Sequence, residues 1–226
     1  KKFRNFPRQK KQETNESTEN KHLDEMSKKE PIRPHNIQVP NTPKSISSIS
    51  WGTTSDLLAC TSWNSDVCLY NIQYQQQQQQ VQLNPMQQQQ PPPVNIQPIA
   101  HYTHGTSGQP ILSSCITAQN QVWTSGADGE IRMYQIGQNV PQQGGDQTKL
   151  VGKHNSGVKN LLFSDEMGVA VSGGWDKCVK YWDVRQANAN VLSVNSPTNS
   201  KIFCMSHCGQ LLSVGFSDGK IAFYDL

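Results

Sequence analysis

The chain contains short apolar runs separated by polar segments rich in Gly, Asp and Asn. The runs are enriched in Val, Ile, Leu and aromatic residues, a composition typical of β-strands bounded by turns. No segment combines the periodicity of an amphipathic helix with good capping residues. We therefore predict an all-β protein. The predicted strands are 46–51, 57–61, 67–72, 97–102, 111–117, 121–125, 131–136, 149–151, 158–163, 169–172, 179–183, 190–194, 202–206, 211–214 and 221–224.

Four segments of the chain repeat one pattern. They read SWNSDVCLYNI, GADGEIRMYQI, GWDKCVKYWDV and FSDGKIAFYDL, and each has Asn or Asp, a β-branched residue and an aromatic residue at matching positions. The Asn or Asp falls at Asn64, Asp128, Asp176 and Asp218, at spacings of 64, 48 and 42. Removing the 24-residue Gln- and Pro-rich tract 73–96 shortens the first spacing to 40, the period of a four-stranded propeller blade. About four blades are predicted within 36–226.

Polar tracts dilute the apolar content, which is 34% of the 226 residues. Residues 1–35 carry ten Lys or Arg against six Asp or Glu, whereas the remainder carries ten against eleven. This basic tail and the tract 73–96, which includes runs of Gln and Pro, are predicted to be disordered because neither could fill a core. A smaller polar loop is predicted at 137–147.

Several classes of protein are disfavoured by composition. No apolar run approaches the length that a membrane-spanning helix requires, and the basic start is not followed by the apolar stretch of a secretory signal. Six cysteines in this setting favour a reduced, intracellular protein over a disulfide scaffold. There is no cofactor fingerprint, and the Cys204, His207 and Cys208 cluster lacks a second pair at zinc-finger spacing.

The third unit, HNSGV…AVSGGWDKCVKYWD, resembles the WD-repeat family. The resemblance implies a structural network in which Asp176 binds His154, which reaches Ser172 and the indole N–H of Trp182. A His, Asp and Ser constellation could also suggest a hydrolase. We favour the structural role, because a buried His and a buried Trp N–H require hydrogen-bond partners, and we predict no catalytic residues.

A finer resemblance covers roughly 37–226. SISSISW, LLACTSWNSDVCLYNI and SVGFSDGKIAFYDL are similar to segments of the Rae/Gle family of nuclear-pore messenger-RNA export factors, close to the Bub-type checkpoint propeller. That family is seven-bladed, so the resemblance implies an incomplete propeller that exposes a sheet edge. It also implies a non-enzymatic adaptor at the nuclear pore, in the nucleus, that binds the GLEBS motif of an FG nucleoporin.

Five residues are candidates for partner binding. Trp63 and Trp175 occupy the same turn of the first and third units, and the resemblance implies that such turns grip a hydrophobic, acidic peptide. The alternative is that each indole packs over the adjacent blade. Arg132, Lys177 and Lys180 could supply positive charge to an acidic peptide or to nucleic acid. Two other functions remain open: a kinetochore adaptor that binds checkpoint kinases, and direct RNA binding through the basic tail and the propeller face.

Overall fold

The computed structural model describes residues 45–74, 94–105, 108–137 and 148–226, all within one compact unit. These residues form fifteen β-strands, and no helix occurs among them. The described part of the chain therefore has no helix that could cross a membrane. The predicted tail 1–35 and most of the predicted insert lie outside the described residues.

The strands form four antiparallel sheets in chain order, which we call blades 1 to 4. Blade 1 comprises β1 (Ile46–Trp51), β2 (Leu57–Ser62), β3 (Asp66–Tyr74) and β4 (Val94–Thr103); blade 2 comprises β5 (Ile111–Ile116), β6 (Gln121–Gly126), β7 (Glu130–Gln135) and β8 (Lys149–Lys153). Blade 3 comprises β9 (Val158–Ser164), β10 (Val169–Gly174), β11 (Cys178–Trp182) and β12 (Asn190–Asn195). Blade 4 comprises β13 (Ile202–Cys208), β14 (Leu211–Phe216) and β15 (Ile221–Asp225). The predicted all-β propeller class is confirmed.

Most of the hydrophobic core lies between blades, and one smaller cluster lies within blade 1. The first strands of consecutive blades, β1, β5, β9 and β13, pack side by side. One buried cluster joins blades 1 and 2, another joins blades 2 and 3, and a third joins blades 3 and 4. Representative members are Leu69 with Ile111, Trp123 with Trp182, and Val179 with Leu212. Each sheet therefore buries one face against each neighbour, as propeller blades do.

Two predicted boundaries are wrong. The insert was predicted to begin at residue 73, but β3 continues to Tyr74 and β4 begins at Val94, so the ladder pairs Gln73 with Asn95. Backbone groups form this ladder whatever the side chains, and Val94 and Ile96 pack against Cys60, Cys68, Tyr70 and Ile72.

Candidate functional site

Four residues of blade 3 form one hydrogen-bond network. Nδ1 of His154 lies 2.9 Å from Oδ1 of Asp176, and Nε2 of His154 lies 2.7 Å from Oγ of Ser172. The indole N–H of Trp182 donates to the same Ser172 oxygen at 2.7 Å. His154, Ser172 and Trp182 are almost fully buried. The structure thus brings together the four residues that the WD-repeat resemblance associates. The network joins β10, β11 and the turn between them to the segment preceding β9.

The network fits a neutral imidazole. His154 donates its Nδ1 proton to Asp176, and Ser172 accepts from Trp182 while donating to Nε2, so the polar groups match. Burial lowers the pKa of His154, and the hydrogen bond to Asp176 offsets only part of that effect. Burial raises the pKa of Asp176, but bonds from His154 and from the amides of Asn155 and Cys178 outweigh it and hold that pKa below the ordinary value.

The buried imidazole makes the stability of the protein sensitive to mild acid. In the unfolded chain His154 takes up a proton below its ordinary pKa of 6.5, whereas in the folded chain the same proton binds only at lower pH. The unfolded state then holds more protons, so stability falls as the pH drops below 6.5, by at most about 1.4 kcal/mol per pH unit for one group. The contribution of Asp176 is lost only in stronger acid, below its ordinary pKa of 3.8.

We expect urea melts at pH 7.5, 6.5 and 5.5 to show this decline in the wild type. His154→Gln should flatten the dependence, and the exposed His207→Gln should leave it unchanged. A free energy of unfolding that is constant from pH 7.5 to 5.5 would contradict the assignment of His154.

The network is arranged for structure rather than for catalysis. Ser172 has no exposed surface, and its oxygen already accepts the Trp182 N–H, so a substrate carbonyl has no path to it. Among the described residues, no group of three or more His, Cys, Asp or Glu side chains could hold a metal ion.

Blade 2 contains a partial counterpart that sequence reasoning missed. Nδ1 of His104 lies 2.8 Å from Oγ1 of Thr124, and Nε2 lies 3.6 Å from the Asp128 carboxylate. His104 is fully buried and Asp128 nearly so. Tyr134 takes the place of Trp182, and Thr124 the place of Ser172. In the sequence, only Asp128, the acidic residue of the repeat, indicated this counterpart. Thr124 and Tyr134 differ from the Ser and Trp of blade 3, so the pattern was not recognisable.

One end of the blades carries the two tryptophans. We call this end the turn face and define it as the turns 63–65, 127–129, 175–177 and 217–220 with the connecting segments 104–105, 108–110, 154–157 and 196–201. Backbone hydrogen bonds join turns to segments throughout, including Trp175 N–H to Gly157 O at 2.8 Å and Ser196 N–H to Lys177 O at 2.7 Å. The turn face is therefore a continuous, well-braced surface.

The two tryptophans differ in exposure. Trp63 is 52% exposed, although its backbone N–H is fixed by the Ser45 carbonyl at 3.0 Å. Trp175 is partly buried, because its six-membered ring packs on Gly157, where a Cβ would lie 2.9 Å from the ring. The same point is 3.4 Å from Cα of Ala127 in blade 2. Trp175 thus covers the junction with the adjacent blade, while Trp63 is free for contact.

The cationic candidates are not equivalent. Lys177 lies in the turn beside Trp175, and its ammonium donates to Oδ1 of Asn199 at 3.0 Å. Lys180 lies on β11, where its ammonium donates to the Lys153 carbonyl at 2.9 Å and sits 5.9 Å from the Trp182 ring centroid. Both side chains remain partly exposed.

Arg132 was predicted to offer its charge to a partner, and its position corrects that expectation. It is only 7% exposed, its Nε donates to Glu130 at 2.8 Å, and its Nη1 donates to Thr148 at 2.9 Å. Gly105 covers the guanidinium, since a Cβ there would lie 3.0 Å from Nε. The ion pair between Arg132 and Glu130 lies inside blade 2, so Arg132 is not part of the turn face.

One segment of the chain matches a WD40 repeat, and the sheets are arranged as the blades of a β-propeller. Residues 145–183 match the family described as WD domain, G-beta repeat, and this stretch contains the complete His154 network of blade 3. A likeness to the crystal structure of the computationally designed Ika4 protein, at a TM-score of 0.57 and 12% identity, covers 86% of this chain and 99% of that one. It supports the fold alone.

The relatives include mitotic checkpoint proteins of the Bub3 type and a poly(A)+ RNA export protein, which confirms the resemblance predicted from the sequence. The chain is 28% identical over 182 residues to mitotic checkpoint protein bub3 of Dictyostelium discoideum, covering 80% of this chain and 45% of the relative. It is 26% identical over 195 residues to the poly(A)+ RNA export protein of Schizosaccharomyces pombe, covering 84% and 47%. The chain therefore spans less than half the length of these relatives.

Proposed function

We propose that this protein is a non-enzymatic adaptor that binds a short peptide of a partner on its turn face. The observation that carries the proposal is Trp63, a large indole that is half-exposed in a turn held by hydrogen bonds on both sides. A rigid, exposed aromatic residue suits a binding hot spot, because binding removes its apolar surface from water without an ordering penalty.

The partner we propose is an FG nucleoporin that carries a GLEBS motif, which would make the protein an adaptor in messenger-RNA export at the nuclear pore. The similarity to the poly(A)+ RNA export protein supports this choice. The turn face also suits a peptide that is both apolar and acidic, because the exposed Lys159, Lys201 and Lys220 lie in or next to its loops. The proposed location is the nucleus, at the nuclear envelope and pore complex.

A second candidate is a checkpoint adaptor that binds checkpoint kinases at the kinetochore. The similarity to mitotic checkpoint proteins favours it specifically. Both candidates use a peptide on the turn face, so they differ in the partner rather than in the surface. Affinity purification of the tagged protein followed by mass spectrometry would separate them: an FG nucleoporin supports the export role, whereas checkpoint kinases support the kinetochore role.

The peptide site itself is tested by Trp63→Ala. We expect this change to weaken binding of a fluorescein-labelled synthetic GLEBS peptide by about 30-fold, the effect of losing a hot spot of about 2 kcal/mol. Trp175→Ala should also weaken binding, with some loss of stability because the indole packs on Gly157. Fluorescence anisotropy at several salt concentrations provides the measurement.

Trp51→Ala is the matched control, because Trp51 is also 52% exposed but ends β1 at the opposite end of blade 1. Equal losses in Trp51→Ala and Trp63→Ala would exclude a site on the turn face. The RNA-binding alternative would be favoured if the wild type bound single-stranded RNA but not the peptide. Its affinity for RNA should then fall steeply as the salt concentration rises.

A further inference from the structure

Two cysteines of blade 1 lie directly opposite each other on neighbouring strands. The register of β2 and β3 pairs Cys60 with Cys68. The Ile72 N–H donates to the Asp56 carbonyl at 2.8 Å, and this bond continues the same register. Because hydrogen-bonded and non-hydrogen-bonded pairs alternate along an antiparallel ladder, Cys60 and Cys68 form a hydrogen-bonded pair, with Cα atoms about 5.5 Å apart.

This separation suits a disulfide bond. The Cα atoms of two bonded cysteines usually lie roughly 4.4–6.8 Å apart, and directly opposite residues of two strands project their side chains to the same face of the sheet. Both cysteines are free and only 3% exposed, and both belong to one buried cluster with Tyr70 and Ile72. The two thiols can therefore bond without any change of strand register.

The other cysteines lack this arrangement. In the strand pairs that the structure describes, Cys115 lies opposite Trp123, Cys178 opposite Asn195, Cys204 opposite Gly215 and Cys208 opposite Leu211. A disulfide within the described fold is therefore expected at one place, between β2 and β3.

The cysteine pair stands at the base of the turn that carries Trp63. The turn is held by hydrogen bonds, since the Ser62 hydroxyl accepts the N–H groups of Asn64 at 3.0 Å and of Asp66 at 2.9 Å. A disulfide would add a covalent bond that closes a ring around residues 60–68. Closing such a ring restricts the open states of the hairpin and so lowers their population.

Burial makes both thiols slow to react. It raises the pKa of Cys60 and that of Cys68, so little of the nucleophilic thiolate is present at neutral pH. The thiolate fraction grows about tenfold with each pH unit below the pKa. We therefore expect oxidation of this pair to be slow at neutral pH and to accelerate in mild base.

We propose that Cys60 and Cys68 form a reversible disulfide when the protein meets a hydroperoxide, and that this bond fastens the hairpin beneath Trp63. The thiolate of one cysteine attacks a peroxide oxygen, the O–O bond breaks, and a sulfenic acid and one water result once the leaving oxygen is protonated. The second thiol attacks the sulfenic sulfur, so that the S–S bond forms, the S–O bond breaks and a second water leaves. Two thiols are oxidised and one peroxide is reduced to two waters. The site is independent of the proposed function, because no partner is needed to form or detect it.

The test uses the whole chain with the exposed Cys204 and Cys208 changed to serine. The folded protein is treated with hydrogen peroxide at pH 7.5 and 8.5, its remaining thiols are blocked with N-ethylmaleimide, and the chain is cleaved before Asp66 for mass spectrometry. We expect two peptides joined through Cys60 and Cys68, at a mass two hydrogens below their sum, formed about tenfold faster at pH 8.5. Dithiothreitol should release them. Hydrogen exchange of the amides of residues 62–66 should be about tenfold slower in the oxidised protein.

Three variants control the assignment, each checked for folding by circular dichroism. Cys60→Ala and Cys68→Ala should each abolish the joined peptides, whereas Cys115→Ala, which removes a thiol opposite Trp123, should leave them unchanged. Recovery of both thiols as maleimide adducts after peroxide treatment at pH 8.5 would overturn the proposal, as would linkage of either cysteine to Cys115 or Cys178. These outcomes are read in the parent protein, so they hold even where an alanine variant fails to fold. Joined peptides with unchanged exchange at residues 62–66 would overturn the statement that the bond fastens the hairpin.

Discussion

Replacing Trp182 with alanine is expected to reduce the free energy of unfolding by about 4 kcal/mol. The indole is 2% exposed at the centre of the cluster between blades 2 and 3, so its removal leaves a large cavity. It also deprives Ser172 of the hydrogen bond that fixes the direction of its hydroxyl. Urea denaturation followed by far-UV circular dichroism measures the loss.

Trp182→Phe separates the two contributions. Phenylalanine keeps most of the packing and removes only the N–H, so we expect a smaller loss of about 1.5 kcal/mol. The exposed Trp51→Ala serves as a control for loss of an indole outside the core. If Trp182→Ala destabilised the protein no more than Trp51→Ala, the described packing between blades 2 and 3 would be incorrect.

A second large effect is expected for Gly152→Ala. Gly152 lies on β8, and a Cβ there would overlap the six-membered ring of Trp182, which is rigid and buried. Its φ is not in the left-handed region, so the effect would come from space alone. Overpacking a rigid core typically destabilises by 1–3 kcal/mol, and we expect about 3 kcal/mol here. Thermal and urea melts measure it.

The smaller ring in Trp182→Phe should relieve this overlap. In the double variant Gly152→Ala with Trp182→Phe, the combined destabilisation should therefore be less than the sum of the single effects. Gly209→Ala is a control with no neighbouring atom within 4 Å of the added Cβ, although its φ of 55° adds modest strain. Strict additivity in the double variant would argue against contact between Gly152 and Trp182.

The repeat made the fold predictable, because strand patterning, turn residues and period agree within each unit. The third unit also allowed its network to be anticipated, since His154, Ser172, Asp176 and Trp182 match a known pattern. Arg132 could not be placed, because its burial depends on Gly105 and Thr148, which approach it only in the folded blade. Likewise, the extension of β3 beyond Ile72 depends on pairing with a strand that follows a long polar tract.

The position of the core between blades constrains how such a chain can change over evolutionary time. Each of the three clusters between blades draws its residues from two consecutive units, as Val179 of blade 3 and Leu212 of blade 4 do. A duplication or deletion of one whole unit restores matching faces on both sides of the junction, because each unit presents the same kind of surface to its successor. A loss of half a unit would leave two faces without partners. We therefore expect the length of such chains to change by whole units, with all the strands of one unit gained or lost together.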